Sequence, residues 1–575
     1  MDLAKIFLDA GLLDEQQIEL ARQAEDQGKR LDEAAVQLGF ITEEQSLRTI
    51  GDAVGLPFVD LAESEIDLSL LEKFPPSAIY RECLFPFHQK NGTLVVATPD
   101  PFNLYPLDEL SATLGITIVP VLATRMEIAK LTKAHLGVGS ETVEHMIAQS
   151  SDDAEIQVLD EVETDGAELS QLAEEPSVVR LVNEILLEAI EIGASDIHIE
   201  SERHDLRVRY RLDGVLQPQP IPPEIHRFRA AIISRLKIMA RLNIAERRLP
   251  QDGRIELKTG GREVDVRVSV IPMIHGEGIV LRLLDKGRMT FSLTNLGMDD
   301  DLLVTFREII SMPHGIVLVT GPTGSGKTTT LYSALQEIRS DETKIITTED
   351  PVEYKLPGMS QIQVHPKIGL TFANSLRSIL RHDPDVVLIG EIRDLETAEN
   401  AIQASLTGHL VFSTLHTNDS AGAYTRLTDM GVEPFLVSST VEAVMAQRLV
   451  RTVCTHCRRS YHPSPEDLPN DFPIEQLDDD GVLYHATGCR ECRQVGYKGR
   501  IGLFELMVTT NRIRKISQER ASSWEIKQAA IEQGMHTLRQ NGWGKVLSGK
   551  TTVEEVIRVT KGDDVSGHIV LGAND

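Results

Sequence analysis

The apolar run Ile316-Val-Leu-Val319 leads into Gly321-Pro322-Thr323-Gly324-Ser325-Gly326-Lys327-Thr328, and this stretch constrains the fold more tightly than any other. An apolar run with no polar alternation reads as a strand of a parallel sheet buried on both faces. Leu331 to Ile338 continues with helical spacing. Strand, glycine-rich loop and helix in that order make a P-loop, in which successive backbone N–H groups converge on phosphate oxygens. Lys327 supplies a point charge for the β- and γ-phosphates, Thr328 can reach Mg²⁺, and the helix adds its positive end. The expectation is an α/β fold that binds ATP.

Three more apolar runs follow. Lys344-Ile-Ile-Thr-Thr348 ends in Glu349-Asp350-Pro351-Val352-Glu353. Carboxylates at the carboxyl end of a strand beside the P-loop strand face the phosphate crevice. Either Glu349 or Glu353 can there orient or deprotonate an attacking water. Asp385 to Ile389 is a third strand, ending in Gly390-Glu391, a position suited to contacting magnesium through water. A fourth strand, Leu410 to Leu415, is bracketed by His409 and His416. A lone histidine is more often structural, but two that bracket such a strand read as a phosphate-sensing pair. Upstream, Arg207, Arg209, Arg211, Arg267 and Arg282 alternate with apolar residues in short strands. They form either the wet face of a sheet or charges that complete a nucleotide site, sometimes in a neighbouring subunit.

The chain of 575 residues is long enough for three or four domains. Its net charge of −29 argues against a broad nucleic-acid surface. With no apolar run near 18 residues and no basic, apolar leader, a cytoplasmic chain without a membrane span is expected. Of five cysteines, Cys454-Thr-His-Cys457 and Cys489-Arg-Glu-Cys492 form two Cys-x2-Cys pairs. Four thiolates at this spacing suit a closed, structural Zn²⁺ site.

Residues 1–60 carry a degenerate repeat. Leu3…Gly11 recurs as Leu31…Gly39, each copy a helix, a glycine turn and a second helix capped by Asp14 or Thr42. Residues 61–138 mix strands (94–98 and 116–121) with helices as a small α/β domain. Residues 139–176 read as a linker, because the stretch 151–175 holds ten acidic residues and no Lys or Arg. Residues 177–285 return to α+β patterning, with Asp213-Gly214 as a hairpin signal. The remainder, 286–562, holds the P-loop, the cysteine insert (450–500) and C-terminal helices, before a tail at 563–575.

These segments resemble the secretion-superfamily traffic ATPases, related to the ATPases of type II secretion and type IV pilus assembly. Four boxes carry the likeness: Gly321–Thr328, Thr347–Glu353, Asp383–Glu391 and Thr407–Thr417. The resemblance implies a RecA-like P-loop domain preceded by a PAS-like α+β domain, assembled as a homo-hexamer. It implies that Glu353 prepares the attacking water, that Glu391 helps hold metal and water, and that Arg267 and Arg282 act as fingers on nucleotide. Arg377, Arg381 and Arg393 match further basic positions. The implied activity is ATP hydrolysis powering pseudopilus assembly in type II secretion, with type IV pilus extension as the alternative. The implied partners are an inner-membrane platform protein and a membrane-anchored docking protein, so that the motor is peripheral at the inner membrane. Retraction ATPases usually lack the cysteine insert and the N-terminal module, which speaks against retraction. In some members each N-terminal copy begins Arg-Leu-Gly and binds cyclic di-GMP. Here the copies read Asp2-Leu3-Ala4 and Arg30-Leu31-Asp32, favouring docking over nucleotide sensing.

Overall fold

The computed structural model describes residues 3–136, 175–285 and 291–560, except 26–29, 62–63, 65, 75–77, 80–81, 91, 260–261 and 478–480. Most of the acidic linker and the C-terminal tail lie outside the described residues. The chain divides into two compact units, Met1–Leu283 and Leu284–Asp575.

In the first unit, helices Leu3–Asp9, Glu15–Glu25, Leu31–Gln37 and Glu43–Val54 form the repeat. Gly11 and Gly39 turn each copy at φ 66° and 74°. Thr42 caps its helix reciprocally with Gln45, and Asp14 does the same with Gln17. Strands β1 (Phe85–Lys90), β2 (Thr93–Thr98) and β3 (Thr117–Leu122) follow in that spatial order, β1–β2 antiparallel and β2–β3 parallel. β1 is not among the predicted strands; its Phe-Pro-Phe-His-Gln-Lys lacks regular alternation and carries a proline, which an edge position tolerates.

Residues 196–285 give β4 (Asp196–Ser201), β5 (Leu206–Leu212), β6 (Val215–Pro218), β7 (Gln251–Thr259), β8 (Arg262–Met273) and β9 (Gly276–Asp285). Their sheet order is β6-β5-β4-β9-β8-β7. Helices Pro176–Ile192 and Arg229–Met239 share one core with it, built on Leu181, Ile185, Ile197, Tyr210, Ile232 and Val266. Asp213 and Gly214, at φ 47° and 84°, turn the predicted hairpin between β5 and β6.

The second unit is built on seven strands: β10 (Gly315–Thr320), β11 (Ile345–Glu349), β12 (Ser360–Gln363), β13 (Val386–Ile389), β14 (Leu410–Leu415), β15 (Val441–Val453) and β18 (Tyr497–Val508). Between the last two, β16 (Arg459–Tyr461) and β17 (Leu483–His485) make a separate ribbon. The order is β12-β11-β13-β14-β10-β15-β18, parallel throughout except for β18. Alternate residues of β10 feed two cores. Ile316 and Leu318 join helices Phe372–Ile379, Leu395–Leu406 and Ser523–Glu532 on one face. Val317 and Val319 join helices Asp300–Ile310 and Lys327–Ile338 on the other. Both faces being covered is why these strands read as unbroken apolar runs. The residues 450–453 and 497–500, predicted as part of the cysteine insert, belong to β15 and β18, so the insert proper is 454–496. Among the described residues, no helix is long and apolar enough to cross a membrane.

Candidate nucleotide site

The P-loop leaves the carboxyl end of β10. Gly321, Gly324 and Gly326 have φ of 147°, 79° and 89°, which L side chains rarely adopt. A Cβ on Gly321 would stand 2.5 Å from the Gln447 carbonyl oxygen, so neighbouring β15 presses on the loop's first turn. Lys327 donates to the carbonyls of Gly321 at 2.8 Å and Pro322 at 3.1 Å, holding its ammonium over the loop. Burial lowers its pKa, with Glu391 pulling the other way. Buried Gln447 accepts from Thr330 at 2.7 Å and thereby ties the P-loop helix to β15.

The acidic strand ends sort themselves by their partners. Glu349, 4% exposed, accepts from the Tyr332 hydroxyl on one oxygen and from Thr347 (2.6 Å) and Gln361 (3.1 Å) on the other. Both oxygens are committed to packing β10's helix against β11 and β12. Glu353, half-buried, lies beyond the cis Asp350–Pro351 peptide. Glu391 follows β13 and accepts from Arg393 at 2.5 Å and from His416 at 3.2 Å. Burial would raise its pKa, but Arg393 and His416 outweigh that and hold it below the ordinary value. Thr417 links the end of β14 to the end of β10 through the Thr320 hydroxyl, 2.6 Å away.

His416 therefore stands at the phosphate end of β14, whereas His409 does not. β14 is parallel to β10, Gly315 facing Leu410 and Thr320 facing Leu415. His409, preceding the strand, sits at the opposite end of the sheet, its Nδ1 within 2.8 Å of the Ala404 carbonyl and 3.1 Å of Thr407. The structure does not bring the two histidines together. Of the three further arginines, Arg393 reaches Glu391, Arg377 pairs with Glu396 at 2.5 Å, and Arg381 bonds the Arg377 carbonyl at 2.9 Å. Arg267 and Arg282 lie on β8 and β9 of the first unit, Arg282 paired with Asp196 at 3.0 Å.

Cys454, Cys457, Cys489 and Cys492 converge, all four sulfurs within 4.8 Å of one another. Sulfur–sulfur separations of 3.9, 3.7 and 3.8 Å match the roughly 3.8 Å that four sulfurs adopt around a tetrahedral ion at about 2.3 Å. The amides of Gly488, Cys489 and Gly496 point at these sulfurs from 3.1–3.3 Å, as they would at thiolates. The cluster could hold a metal.

In the N-terminal repeat, Arg30 is bound internally, to Asp32 at 3.0 Å and Asp100 at 2.7 Å, with its guanidinium over the Phe102 ring. Asp32, standing where the motif has glycine, supplies the charge that satisfies this arginine.

A parallel sheet with a P-loop at its carboxyl edge, a lysine above the loop and a desolvated, ionised glutamate opposite defines a P-loop ATPase. The family described as type II/IV secretion system protein matches residues 171–558, and an MshEN domain matches residues 54–141. The type II secretion system protein E of Xanthomonas campestris pv. campestris is 44% identical over 91% of this chain and 92% of its own. The type IV pilus assembly ATPase PilB of Myxococcus xanthus is 41% identical over 98% and 99%. A crystal structure of the pilus retraction motor PilT with bound ADP is 26% identical, covers 66% of this chain and 97% of that one, and has a TM-score of 0.45. The chain belongs to the type II/IV secretion system protein family and is a traffic ATPase of secretion and pilus systems.

Gln447 and Arg448 escaped the sequence reading. The signal was present: Gln-Arg interrupts the apolar Ala443–Val450 run, and polar residues inside a buried strand need a reason.

Proposed function

We propose that this chain is the ATP-hydrolysing hexameric motor of a type II secretion system, driving pseudopilus assembly from the cytoplasmic side of the inner membrane. The observation that carries the choice is the higher identity to a type II secretion protein, 44% against 41% for the pilus assembly ATPase over comparable spans. Type IV pilus extension is the second reading, favoured by the fuller 98% coverage of that relative. Deleting the gene is expected to abolish export of secreted enzymes and to leave surface pili intact; lost pili with normal export would replace the first reading by the second.

In this reading the P-loop amides and Lys327 bind the phosphates of ATP. Thr328 offers an oxygen donor to a magnesium ion and Glu391 would hold that ion through water, and the bound ion would neutralise charge on the phosphates. Glu353 orients and deprotonates the attacking water, since Glu349 is fully engaged elsewhere. His416, held by Glu391, lies beside the γ-phosphate position. Arg267 and Arg282 reach nucleotide in the hexamer as fingers, and Arg267→Ala is expected to cut turnover of the assembled motor 10²-fold or more while ADP affinity changes little. Wild-type turnover would leave Arg267 a sheet-surface residue. The cysteine cluster holds a structural zinc. The repeat of residues 1–60 docks a membrane-anchored partner rather than sensing a cyclic dinucleotide, because Arg30 is already satisfied within the fold. The platform protein of the inner membrane is the load.

A further inference from the structure

β15 outruns its neighbour at the P-loop. Thr320, the last residue of β10, lies opposite Ala446, so Gln447 and Arg448 stand beside the first residues of the loop. Nη1 of Arg448 is 3.1 Å from the place a Cβ would occupy on Gly321. Any side chain there would push the guanidinium off the loop. The absence of one lets charge lie directly against it.

The partners of Arg448 are unusual for an arginine packed into this unit. Nη1 donates to the Gln447 carbonyl at 3.0 Å, and Nη2 to the Asn418 carbonyl at 2.9 Å and, more weakly, to Asn418 Oδ1 at 3.4 Å. All are neutral acceptors. By contrast Arg451 pairs with Glu555 at 2.6 Å, Arg514 with Glu442 at 2.6 Å and Arg539 with Asp471 at 2.5 Å. A half-buried guanidinium with no carboxylate bonded to it is less well compensated than these, and gains from an anion that arrives from outside. A second orphan lies alongside: the hydroxyl of buried Ser325 has no partner and is 2.7 Å from the same Cβ position on Gly321. Two carboxylates, Asp419 and Glu505, act on Arg448 through space without bonding to it; Asp419 accepts from the Gly422 amide at 2.9 Å and Glu505 from the Ser420 hydroxyl at 2.6 Å. Burial depresses the pKa of Arg448, and Arg448 in turn helps to depress that of Lys327. Two cations thus converge on one loop, and Glu391 is the carboxylate that opposes them at Lys327.

We propose that Arg448 is a nucleotide-binding residue whose guanidinium takes a polyphosphate oxygen of ATP or ADP with the donors that Gln447 and Asn418 leave free. A guanidinium has five N–H donors in a fixed fork, so two carbonyls can hold its plane while others stay available. The inference rests on the reading that the P-loop holds ATP. It assigns to β15, on the side of the P-loop away from Glu391, a share of the phosphate charge.

The test is calorimetric titration of the full chain with ADP and Mg²⁺, beside thermal melting with and without ADP. Arg448→Gln is expected to weaken ADP roughly tenfold or more, the worth of one charge-assisted hydrogen bond. Arg448→Lys should fall between Arg448→Gln and wild type. The melting temperature without nucleotide should hold or rise, since an unpaired half-buried charge has been removed, while the rise induced by ADP shrinks. ADP affinity at the wild-type level overturns the proposal. So does a lowered melting temperature without nucleotide, an unfolded Arg448→Gln chain, or an Arg448→Lys chain no better than Arg448→Gln; each assigns the guanidinium to the scaffold. Failure of the wild-type chain to bind ADP strikes the P-loop reading itself.

Discussion

Glu391→Gln is expected to bind ATP with near wild-type affinity and to hydrolyse it 10²- to 10⁴-fold more slowly, the usual span for losing a positioned catalytic carboxylate. The substitution keeps the size of the side chain and one acceptor oxygen for Arg393, while the amide nitrogen facing His416 can only donate to an unprotonated imidazole Nε2. What disappears is a negative charge in a half-buried position facing Lys327. The direction of the Glu391 pKa bears on the assay. Its folded-state value is depressed, so ionisation adds to stability above the ordinary carboxylate range, and that contribution is lost as pH falls through the lowered value. Around neutrality the wild-type carboxylate is charged, and the variant's deficit should not vary with pH there. Single-turnover measurements with bound ATP separate the two steps: undiminished hydrolysis by Glu391→Gln would remove Glu391 from the chemistry.

The parts of this site that the sequence revealed are those written along one strand. β10, β11, β13 and β14 are buried on both faces, so each appears as a short apolar run whose carboxyl end can be marked by eye. The edge strand β12, Ser-Gln-Ile-Gln, is four residues with no such run and was invisible. That both oxygens of Glu349 are occupied was equally out of reach, because its partners Tyr332, Thr347 and Gln361 meet it only in three dimensions. His409 is a different case. Once β14 is parallel to β10, a residue before the strand must lie at the sheet's far end from the P-loop, and strand direction alone excludes it from the phosphates. Arg448 needed the observation that β15 extends past β10, a matter of register.

The cysteine cluster should carry about one zinc per chain, and Cys489→Ser should lose both the metal and much of the thermal stability of the second unit. The topology sets the size of the effect. β15 and β18 pair antiparallel from Ala443–Val508 to Val453–Tyr497, and the segment 454–496 hangs between their ends. A metal that joins Cys454 and Cys457 to Cys489 and Cys492 closes that long excursion at its base, where loop entropy opposes strand pairing most. The apolar cluster of Leu468, Phe472 and Leu483 against Trp543 and Val556 supplies further closure, so the unit is expected to remain folded but to melt lower. Structural zinc sites in small domains are worth about 10–16 kcal/mol in apparent binding free energy, and only the part not offset by disorder in the open loop appears as stability. The loss should reach the nucleotide. Cys454 lies six residues beyond Arg448, directly after the strand whose Gln447 holds Thr330 of the P-loop helix, so fraying β15 from its metal end loosens the loop. Elemental analysis, melting and ADP titration of Cys489→Ser read these effects in one preparation. Metal near zero in the wild-type chain, or a variant that melts and binds ADP as wild type does, would show that the four thiols neither hold an ion nor brace the sheet.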